Sequence, residues 1–170
     1  MLQDACVLLN LVATDRFEDI CAALDFQFVI STAVVSEALY LRDLSTGARE
    51  EIDLTDLINR KLLTIASVDT DEERSRYVRY AAQLDDGEAM SLALAECRQI
   101  ALATDDRKAI RLVKEQKLKV NIWSTVDLLQ EWQRETSFPK DEMRKVLVAI
   151  RERARFIPRD ATWWNEVFAD

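Results

Sequence analysis

The sequence LATDDRKA, residues 102–109, decides how the rest of the chain is interpreted, because an apolar run ends there abruptly in two acids. Residues 100–103 are predicted to form a strand, and residues 107–117 the helix that follows it. An apolar strand that carries acid at its C-terminal end is a common way to build a metal site in an α/β fold. Asp105 and Asp106 lie at that end, but one acidic pair cannot make a site for a hard cation alone. Further carboxylates must therefore come from other parts of the chain.

Strand and helix patterns alternate along most of the chain, and they predict an α/β fold with a parallel sheet flanked by helices. The sequence contains only two glycines and two prolines, so helix should be abundant. The dipeptide Asn-Gly, typical of tight hairpins, is absent from the sequence. The expected strands are residues 1–3, 26–30, 62–68, 100–103 and 119–123.

The connections between these strands differ in how clearly they can be assigned. Residues 32–41 are predicted to form a helix in which Glu37 has apolar neighbours. Residues 42–61 are the least regular part of the sequence, and we expect a loop with a short helix near Thr55. Residues 70–73, TDEE, have the form of a capping box, which predicts that a helix begins there.

The absence of histidine from the 170 residues excludes several kinds of active site. Catalytic triads, acid–base hydrolysis by histidine and most mixed zinc sites need an imidazole. Any catalysis must therefore use carboxylates, lysines or hydroxyls. The net charge of −8 argues weakly against a nucleic-acid coat protein, but not against an enzyme that acts on phosphodiesters.

No stretch of the sequence has the features of a membrane segment or a secretory signal. A bilayer span needs roughly 20 apolar residues, and a signal peptide needs a basic start followed by an apolar centre. Neither pattern is found in the sequence. We therefore expect a cytoplasmic protein without membrane association.

Acidic side chains recur where expected strands end and the following helices begin. These positions are Asp4, Glu37, Glu88, Asp105 and Asp106. In a doubly wound sheet the C-terminal strand ends face one crevice, so the acids can converge although they are far apart in sequence. Clustered carboxylates repel one another unless a cation neutralises them, and Mg²⁺ or Mn²⁺ accepts a shell of oxygen ligands. The sequence thus indicates a site for a divalent metal.

Each of these acids also has a purely structural explanation. Asp85 with Glu88 matches a capping box at the start of a helix. Asp105 or Asp106 can cap the helix that follows the acidic pair. A helix also tolerates a single solvent-facing glutamate such as Glu37. Because all of these acids are expected at the same edge of the sheet, one shared site is favoured over separate structural roles.

The segments that contain these acids resemble, in order, the motifs of the PIN-domain family of nucleases, which includes the VapC-type toxins of toxin–antitoxin systems. The segments are DACVLLNL (4–11), VVSEALYL (34–41), DDGEAMSLALA (85–95) and LATDDRKA (102–109). The resemblance covers about residues 1–130. The acids to which it assigns metal-site roles are Asp4, Glu37, Glu88 and either Asp105 or Asp106. Thr104 matches the hydroxyl residue that the family often uses near the metal.

This resemblance implies a fold, an activity and partners. The fold would be a parallel sheet of about five strands between helices, with the first and fourth strands adjacent. The activity would be Mg²⁺- or Mn²⁺-dependent cleavage of RNA by water, without a covalent enzyme intermediate. The expected partners are an RNA substrate and an antitoxin protein, and we expect a homodimer. The alternative is a non-catalytic PIN-like module that binds another protein.

The C-terminal part of the chain is predicted to be an appendage. Residues 1–136 would form the PIN-like domain, and residues 137–170 a basic and aromatic helical extension. Residues 140–156 are expected to form one helix. Its basic side chains could contact RNA phosphates, with Trp163 or Trp164 stacking on a base. Burial of the aromatic residues against the domain, or against a second copy, is the favoured alternative.

Overall fold

A five-stranded parallel sheet forms the centre of the computed structural model, which describes residues 1–37 and 39–169. The strands are β1 (Leu2–Gln3), β2 (Phe28–Ser31), β3 (Tyr40–Arg42), β4 (Arg49–Glu51), β5 (Leu63–Ala66), β6 (Leu102–Ala103) and β7 (Ile122–Trp123). The sheet order is β5-β2-β1-β6-β7, and all neighbouring strands in it are parallel. The predicted fold class is confirmed, as is the adjacency of the first and fourth strands of the sheet, β1 and β6.

Helices connect the strands and cover both faces of the sheet. They are α1 (Ala5–Ala13), α2 (Phe17–Leu24), α3 (Thr32–Ser36), α4 (Thr55–Asn59), α5 (Asp71–Ala81), α6 (Asp86–Arg98), α7 (Arg107–Glu115), α8 (Thr125–Thr136), α9 (Lys140–Ala149) and α10 (Thr162–Phe168). The short helix near Thr55 and the capping box at Thr70 are both confirmed. At its C-terminal end α9 continues into a π-helical turn, Ile150–Ala154, so most of the helix predicted over residues 140–156 is present. Among the described residues, none of these helices combines the length and the apolar character needed to cross a bilayer.

The prediction of a helix over residues 32–41 is wrong beyond its first turns, because α3 ends at Ser36. Glu37 has an extended backbone, with φ −76° and ψ 140°. Ala38, which the prediction placed in the helix, lies outside the described residues. The chain then forms β3, which pairs antiparallel with β4 in a hairpin that the sequence pattern does not predict.

Side chains hold the turn of this hairpin in place of the usual Asn-Gly dipeptide. Oδ1 of Asp43 accepts hydrogen bonds from the backbone N–H groups and the hydroxyls of Ser45 and Thr46. Gly47 has φ +71°, a conformation that favours glycine, and its N–H donates to the carbonyl of Asp43 at 2.9 Å. The short polar side chains therefore close the turn by themselves.

Two hydrophobic clusters pack on opposite faces of the sheet. Successive side chains of a strand point to opposite faces, so Leu2 and Gln3 of β1 are directed to different sides. The cluster that contains Leu2 draws its helical residues mainly from α5, α6 and α7. The other cluster contains buried residues of α1, α2, α8, α9 and α10. The central sheet is therefore covered on each side by apolar helix faces.

The C-terminal helices share the core of the preceding residues. Met143, Val146 and Leu147 of α9 belong to the same cluster as α1 and α8. Trp164 of α10 is 4% exposed, in line with the favoured burial of the C-terminal aromatic residues, whereas Phe168 is exposed. The division of the chain between residues 136 and 137 stays a prediction.

An ion pair between buried Glu73 and exposed Arg98 joins the start of α5 to the end of α6. Glu73 is 4% exposed, and its Oε2 accepts hydrogen bonds from the backbone N–H groups of Asp69 and Thr70 at 2.8 and 3.1 Å. Its Oε1 accepts a hydrogen bond from Nε of Arg98 at 2.7 Å. The hydrogen bond from Arg98 lowers the pKa of Glu73 to about 2, with further contributions from the two backbone N–H groups. The ionised form of Glu73 therefore stabilises the fold.

Glu73→Gln tests this ion pair, because glutamine preserves the capping geometry and removes the charge. We expect the free energy of unfolding at pH 7 to fall by about 2–3 kcal/mol. A carboxyl whose pKa is lowered by folding stabilises the protein above its unfolded pKa of about 4.3, and this stabilisation is lost as the pH falls toward the folded pKa. Urea unfolding should therefore show less than half of the difference at pH 3.

Glu72→Gln is the matched control, because Glu72 precedes Glu73 in α5 and its side chain is 69% exposed. An exposed ion pair contributes little, so the loss should stay below about 0.5 kcal/mol. Equal losses in the two variants, or a difference that does not change with pH, would contradict the role of the Glu73–Arg98 pair.

Candidate active site

Asp4 lies at the centre of the sheet, where several neighbouring groups hold it. Its backbone N–H donates to the carbonyl of Ala103 at 3.0 Å, which continues the contact of β1 with β6. Its Oδ1 accepts from the backbone N–H of Val7 at 2.7 Å, so Asp4 caps α1. The hydroxyl of buried Thr104 also forms a hydrogen bond with the Asp4 carboxylate. A residue that is only 3% exposed thus carries a carboxylate at the C-terminal end of β1.

The surroundings of Asp4 oppose its negative charge. Burial raises the pKa of Asp4 to about 7, and the charges of Asp105 and Glu88 contribute to the increase. Hydrogen bonds from Thr104 and Val7 act in the opposite direction. A nearby cation favours the charged form of such a carboxyl group. The neighbourhood of Asp4 is therefore favourable to bound positive charge.

Asp4, Glu37 and Glu88 line one cavity, here called the acidic cavity. Its volume is about 310 Å³. Asp85 and Asp86, to which the sequence assigns no metal-site role, also line this cavity. Burial raises the pKa of both glutamates, and the charges of neighbouring aspartates add to the effect. Candidate residues from β1, from the segment after α3 and from the first turn of α6 thus share one cavity.

Gly87 makes room for the carboxylate of Glu37. A Cβ atom at position 87 would overlap Oε1 of Glu37 and would lie 3.2 Å from a methyl group of Val34. Gly87 is buried in the first turn of α6, although glycine is a poor helix former. The close approach of Glu37 explains why a residue without a side chain fits at this position.

Asp105 has a different set of partners. Its Oδ1 accepts from the backbone N–H of Thr125 at 3.1 Å, and its Oδ2 accepts from the hydroxyl of Thr125 and from Nδ2 of Asn10. It lines a second, larger cavity of about 560 Å³, which Trp163 also lines. Its charge nevertheless raises the pKa of Asp4. Asp105 therefore lies beside the cavity of Asp4 rather than in its lining.

Asp106 caps the helix that follows. Its Oδ1 accepts from the backbone N–H of Ala109 at 2.8 Å, and its own N–H donates to the hydroxyl of Thr104 at 3.0 Å. Its charge raises the pKa of Glu88. The capping role that the sequence left open between the two aspartates therefore belongs to Asp106. Which of Asp105 and Asp106 binds a metal stays a prediction.

Two buried polar residues beside the site are not predicted from the sequence. Asn10 and Thr125 are buried, and Nδ2 of Asn10 donates to Oγ1 of Thr125 at 2.9 Å. Both also donate to Asp105 and so fix its side chain. The amide of Asn10 in the apolar run of α1 is a usable signal, because a buried polar group needs partners. Thr125, 115 residues further along the chain, lies in no comparable pattern.

The donor chemistry of this region fits a hard divalent cation. The candidate ligands are all carboxylates, and Mg²⁺ and Mn²⁺ prefer oxygen ligands completed by water. Desolvation, and after it the charges of neighbouring acids, raises the pKa values of Asp4, Glu37 and Glu88, and a bound cation would act in the opposite direction. Within residues 1–37 and 39–169, no group of three or more acidic or cysteine side chains is arranged so that it could hold a metal ion.

Comparison with models of protein families identifies a match over most of the chain. Residues 1–163 match the model of a family described as PIN domain. The matched range contains the whole sheet, the acidic cavity and α9. No curated protein matches the chain.

Gly87→Ala tests the contact between α6 and Glu37. The added methyl group should displace the flexible carboxylate of Glu37 without unfolding α6, because alanine is the better helix former. We expect the melting temperature to change little, because the gain in helix propensity offsets the shift required of the Val34 methyl group. Calorimetric titration should show Mn²⁺ binding weakened about tenfold, as for other changes that misplace a metal ligand.

Glu37→Gln is the matched comparison, since it removes the charge of the same side chain. The double variant should bind Mn²⁺ no more weakly than the weaker single variant, because both changes act through one carboxylate. Additive losses, or unchanged affinity in Gly87→Ala, would show that Gly87 does not position a Glu37 carboxylate that contributes to binding.

Proposed function

The chain belongs to the PIN-domain family, and on that basis we propose that it is a metal-dependent endoribonuclease. PIN domains are generally nucleases and commonly use divalent metals. The observation that carries the proposal is the cavity shared by Asp4, Glu37 and Glu88 at the C-terminal end of β1. Collecting like charges from separate segments raises the free energy of the fold, and a functional cation would offset this.

Each candidate residue has a part in this proposal. The residues that would hold Mg²⁺ or Mn²⁺ are Asp4, Glu37, Glu88 and either Asp105 or Asp106. A bound ion of this kind supplies Lewis acidity, which activates water and stabilises negative charge on a phosphate group. Thr104 orients the carboxylate of Asp4 through its hydroxyl. Asn10 and Thr125 orient the carboxylate of Asp105 in the same way.

Carboxylates would also handle the proton of the attacking water. The chain contains no histidine, so an imidazole base is excluded. A carboxylate that lines the acidic cavity and does not bind the ion would accept the proton of the water. Water attacks the phosphorus directly, and no covalent enzyme intermediate forms.

The proposal extends to partners and biological role. RNA is the substrate, and the chain acts in the cytoplasm as the toxin of a toxin–antitoxin pair, with an antitoxin protein as its inhibitor and a homodimer as its assembly. The support is the match to the PIN-domain family together with the four segments that resemble the motifs of that family, which includes the VapC-type toxins. Light scattering of the purified chain would test the dimer directly.

A non-catalytic PIN-like module that binds a protein partner is the second candidate. It is favoured because both aspartates of LATDDRKA (102–109) already accept hydrogen bonds within the protein, which leaves fewer of their oxygens for a metal. Asp105 accepts hydrogen bonds from Asn10 and Thr125, and Asp106 caps α7. Calorimetric titration with Mn²⁺ separates the two candidates, because absence of binding at millimolar Mn²⁺ would favour the module.

Asp4→Asn tests the proposed activity. Asparagine caps a helix about as well as aspartate, so α1 should remain folded while a central ligand loses its charge. We expect cleavage of end-labelled RNA in the presence of Mg²⁺ or Mn²⁺ to fall at least about 100-fold. Circular dichroism should show the same helix content in both proteins.

Asp71→Asn is the control for loss of one negative charge. Asp71 begins α5, and its side chain is fully exposed and outside the acidic cavity. This variant should cleave RNA at the rate of the wild type. Equal cleavage by the wild type and Asp4→Asn would overturn the role assigned to Asp4.

A further inference from the structure

Arginines dominate a cleft between the β3–β4 hairpin and the π-helical turn after α9. The cleft has a volume of about 260 Å³. Its lining residues are Tyr40, Leu41, Arg42, Gly47, Arg49, Arg153, Ala154 and Arg155. Among the described residues no aspartate or glutamate lines it. In a chain with a net charge of −8, this arginine cleft is a local concentration of positive charge.

Contacts within the protein hold several of these arginines in fixed positions. The guanidinium of Arg49 lies 4.5 Å from the centre of the Tyr40 ring, a cation–π contact. Nε of Arg42 donates to the carbonyl of Gly47 at 3.3 Å. Arg153 donates to the carbonyl of Ala13 at 2.8 Å and forms an ion pair with Asp15. Ordered guanidinium groups lose less entropy when they bind a ligand.

The hairpin brings two of the cations directly together. Arg42 and Arg49 are opposite each other across β3 and β4. Like charges in this position destabilise a strand pair. Of the two acids of β4, Glu50 is opposite Leu41 and points to the other face, whereas Glu51 is opposite Tyr40 and shares a face with the two arginines. Within residues 1–37 and 39–169, neither Arg42 nor Arg49 forms an ion pair, and an anion between them would remove the conflict.

The arginine cleft and the acidic cavity lie near opposite ends of α1. Asp4 caps the N-terminal end of this helix, whereas Arg153 binds the carbonyl of Ala13 at its C-terminal end. A helix of nine residues is about 13 Å long, because each residue adds about 1.5 Å. A short single strand of RNA can span this distance with one phosphate at the acids and others at the arginines.

We propose that the arginine cleft binds the phosphate backbone of single-stranded RNA on one side of the bond that is cleaved, an inference that rests on the proposed nuclease function. A planar guanidinium group can donate bidentate hydrogen bonds to two oxygens of one phosphate group. The ring of Tyr40 supports Arg49 in this position. The cleft recognises charge and not base identity, so it sets how RNA lies across the acids and leaves sequence preference to other contacts.

The double variant Arg42→Gln/Arg49→Gln tests the cleft. Fluorescence anisotropy with a labelled single-stranded RNA of about 12 nucleotides, in EDTA so that no cleavage occurs, measures binding over a range of salt concentrations. We expect affinity to fall at least about tenfold, and the slope of log K against log salt concentration to become shallower by about 1–2. The melting temperature should change little, because removal of the opposed charges offsets the loss of the Arg49–Tyr40 contact and of the Arg42–Gly47 hydrogen bond.

Arg74→Gln/Arg134→Gln is the control, because it removes the same net charge from exposed positions on α5 and α8 outside the cleft. Its RNA affinity should change less than about twofold. Arg155→Gln is a second cleft variant that leaves the hairpin intact, and it should weaken binding about threefold. Equal affinity of the wild type and the cleft variants would overturn the proposal.

Two further titrations separate the possible failures. If the double variant lost binding of a labelled poly-glutamate peptide but kept its RNA affinity, the cleft would bind an acidic protein, and the RNA proposal would be wrong. Asp71→Asn, which removes a negative charge outside the cleft and the acidic cavity, should bind RNA as tightly as the wild type in EDTA. One outcome is that the wild type cleaves RNA while its RNA affinity does not depend on Arg42 and Arg49. That result would refute the role of the cleft and leave the nuclease function standing. Binding through the arginines without any cleavage would refute the nuclease function alone.

Discussion

The backbone hydrogen bonds of the short strand β1 are the constraint on which the rest of the structure depends. This strand lies between β2 and β6 and sets the register on both sides. The N–H of Leu2 donates to the carbonyl of Ala101, and the N–H of Asp4 donates to the carbonyl of Ala103. The bonds that complete the centre of the sheet therefore also determine where the carboxylate of Asp4 lies. Thr104, the next residue after β6, is brought beside it for the same reason.

In the acidic cavity the fold brings carboxylates together although their negative charges repel one another. Glu73, an acid of the structural core, is buried with Arg98 as a cationic partner, and its pKa is lowered. Within residues 1–37 and 39–169, no lysine or arginine forms an ion pair with Asp4, Glu37 or Glu88, and burial raises their pKa values. Of these three acids, Asp4 is buried, Glu88 is half-buried and Glu37 is exposed. A buried carboxylate without a cationic partner, as at Asp4, is a recurrent feature of functional sites, because the missing charge comes with a ligand.

Much of the architecture follows from signals that are local in sequence. The capping box at Thr70 and the apolar runs of the strands depend on residues a few positions apart, so pattern alone predicts them. The order of the acidic motifs is also a property of the sequence, and it leads to the PIN-domain family and the parallel sheet. The hairpin escapes prediction because its strands have only three residues each, too few to show an alternating pattern, and because the Asp43 side chain replaces the usual turn dipeptide.

The sequence by itself therefore determined the fold class, the family and the acids that belong together as candidates. Only the tertiary structure decided their separate positions. It ends α3 before Glu37, gives Asp106 the cap of α7 and turns Asp105 toward Asn10 and Thr125. It also assembles the arginine cleft from the hairpin and the turn after α9. These outcomes depend on contacts between residues that are up to 140 positions apart, and sequence periodicity carries no information about such contacts.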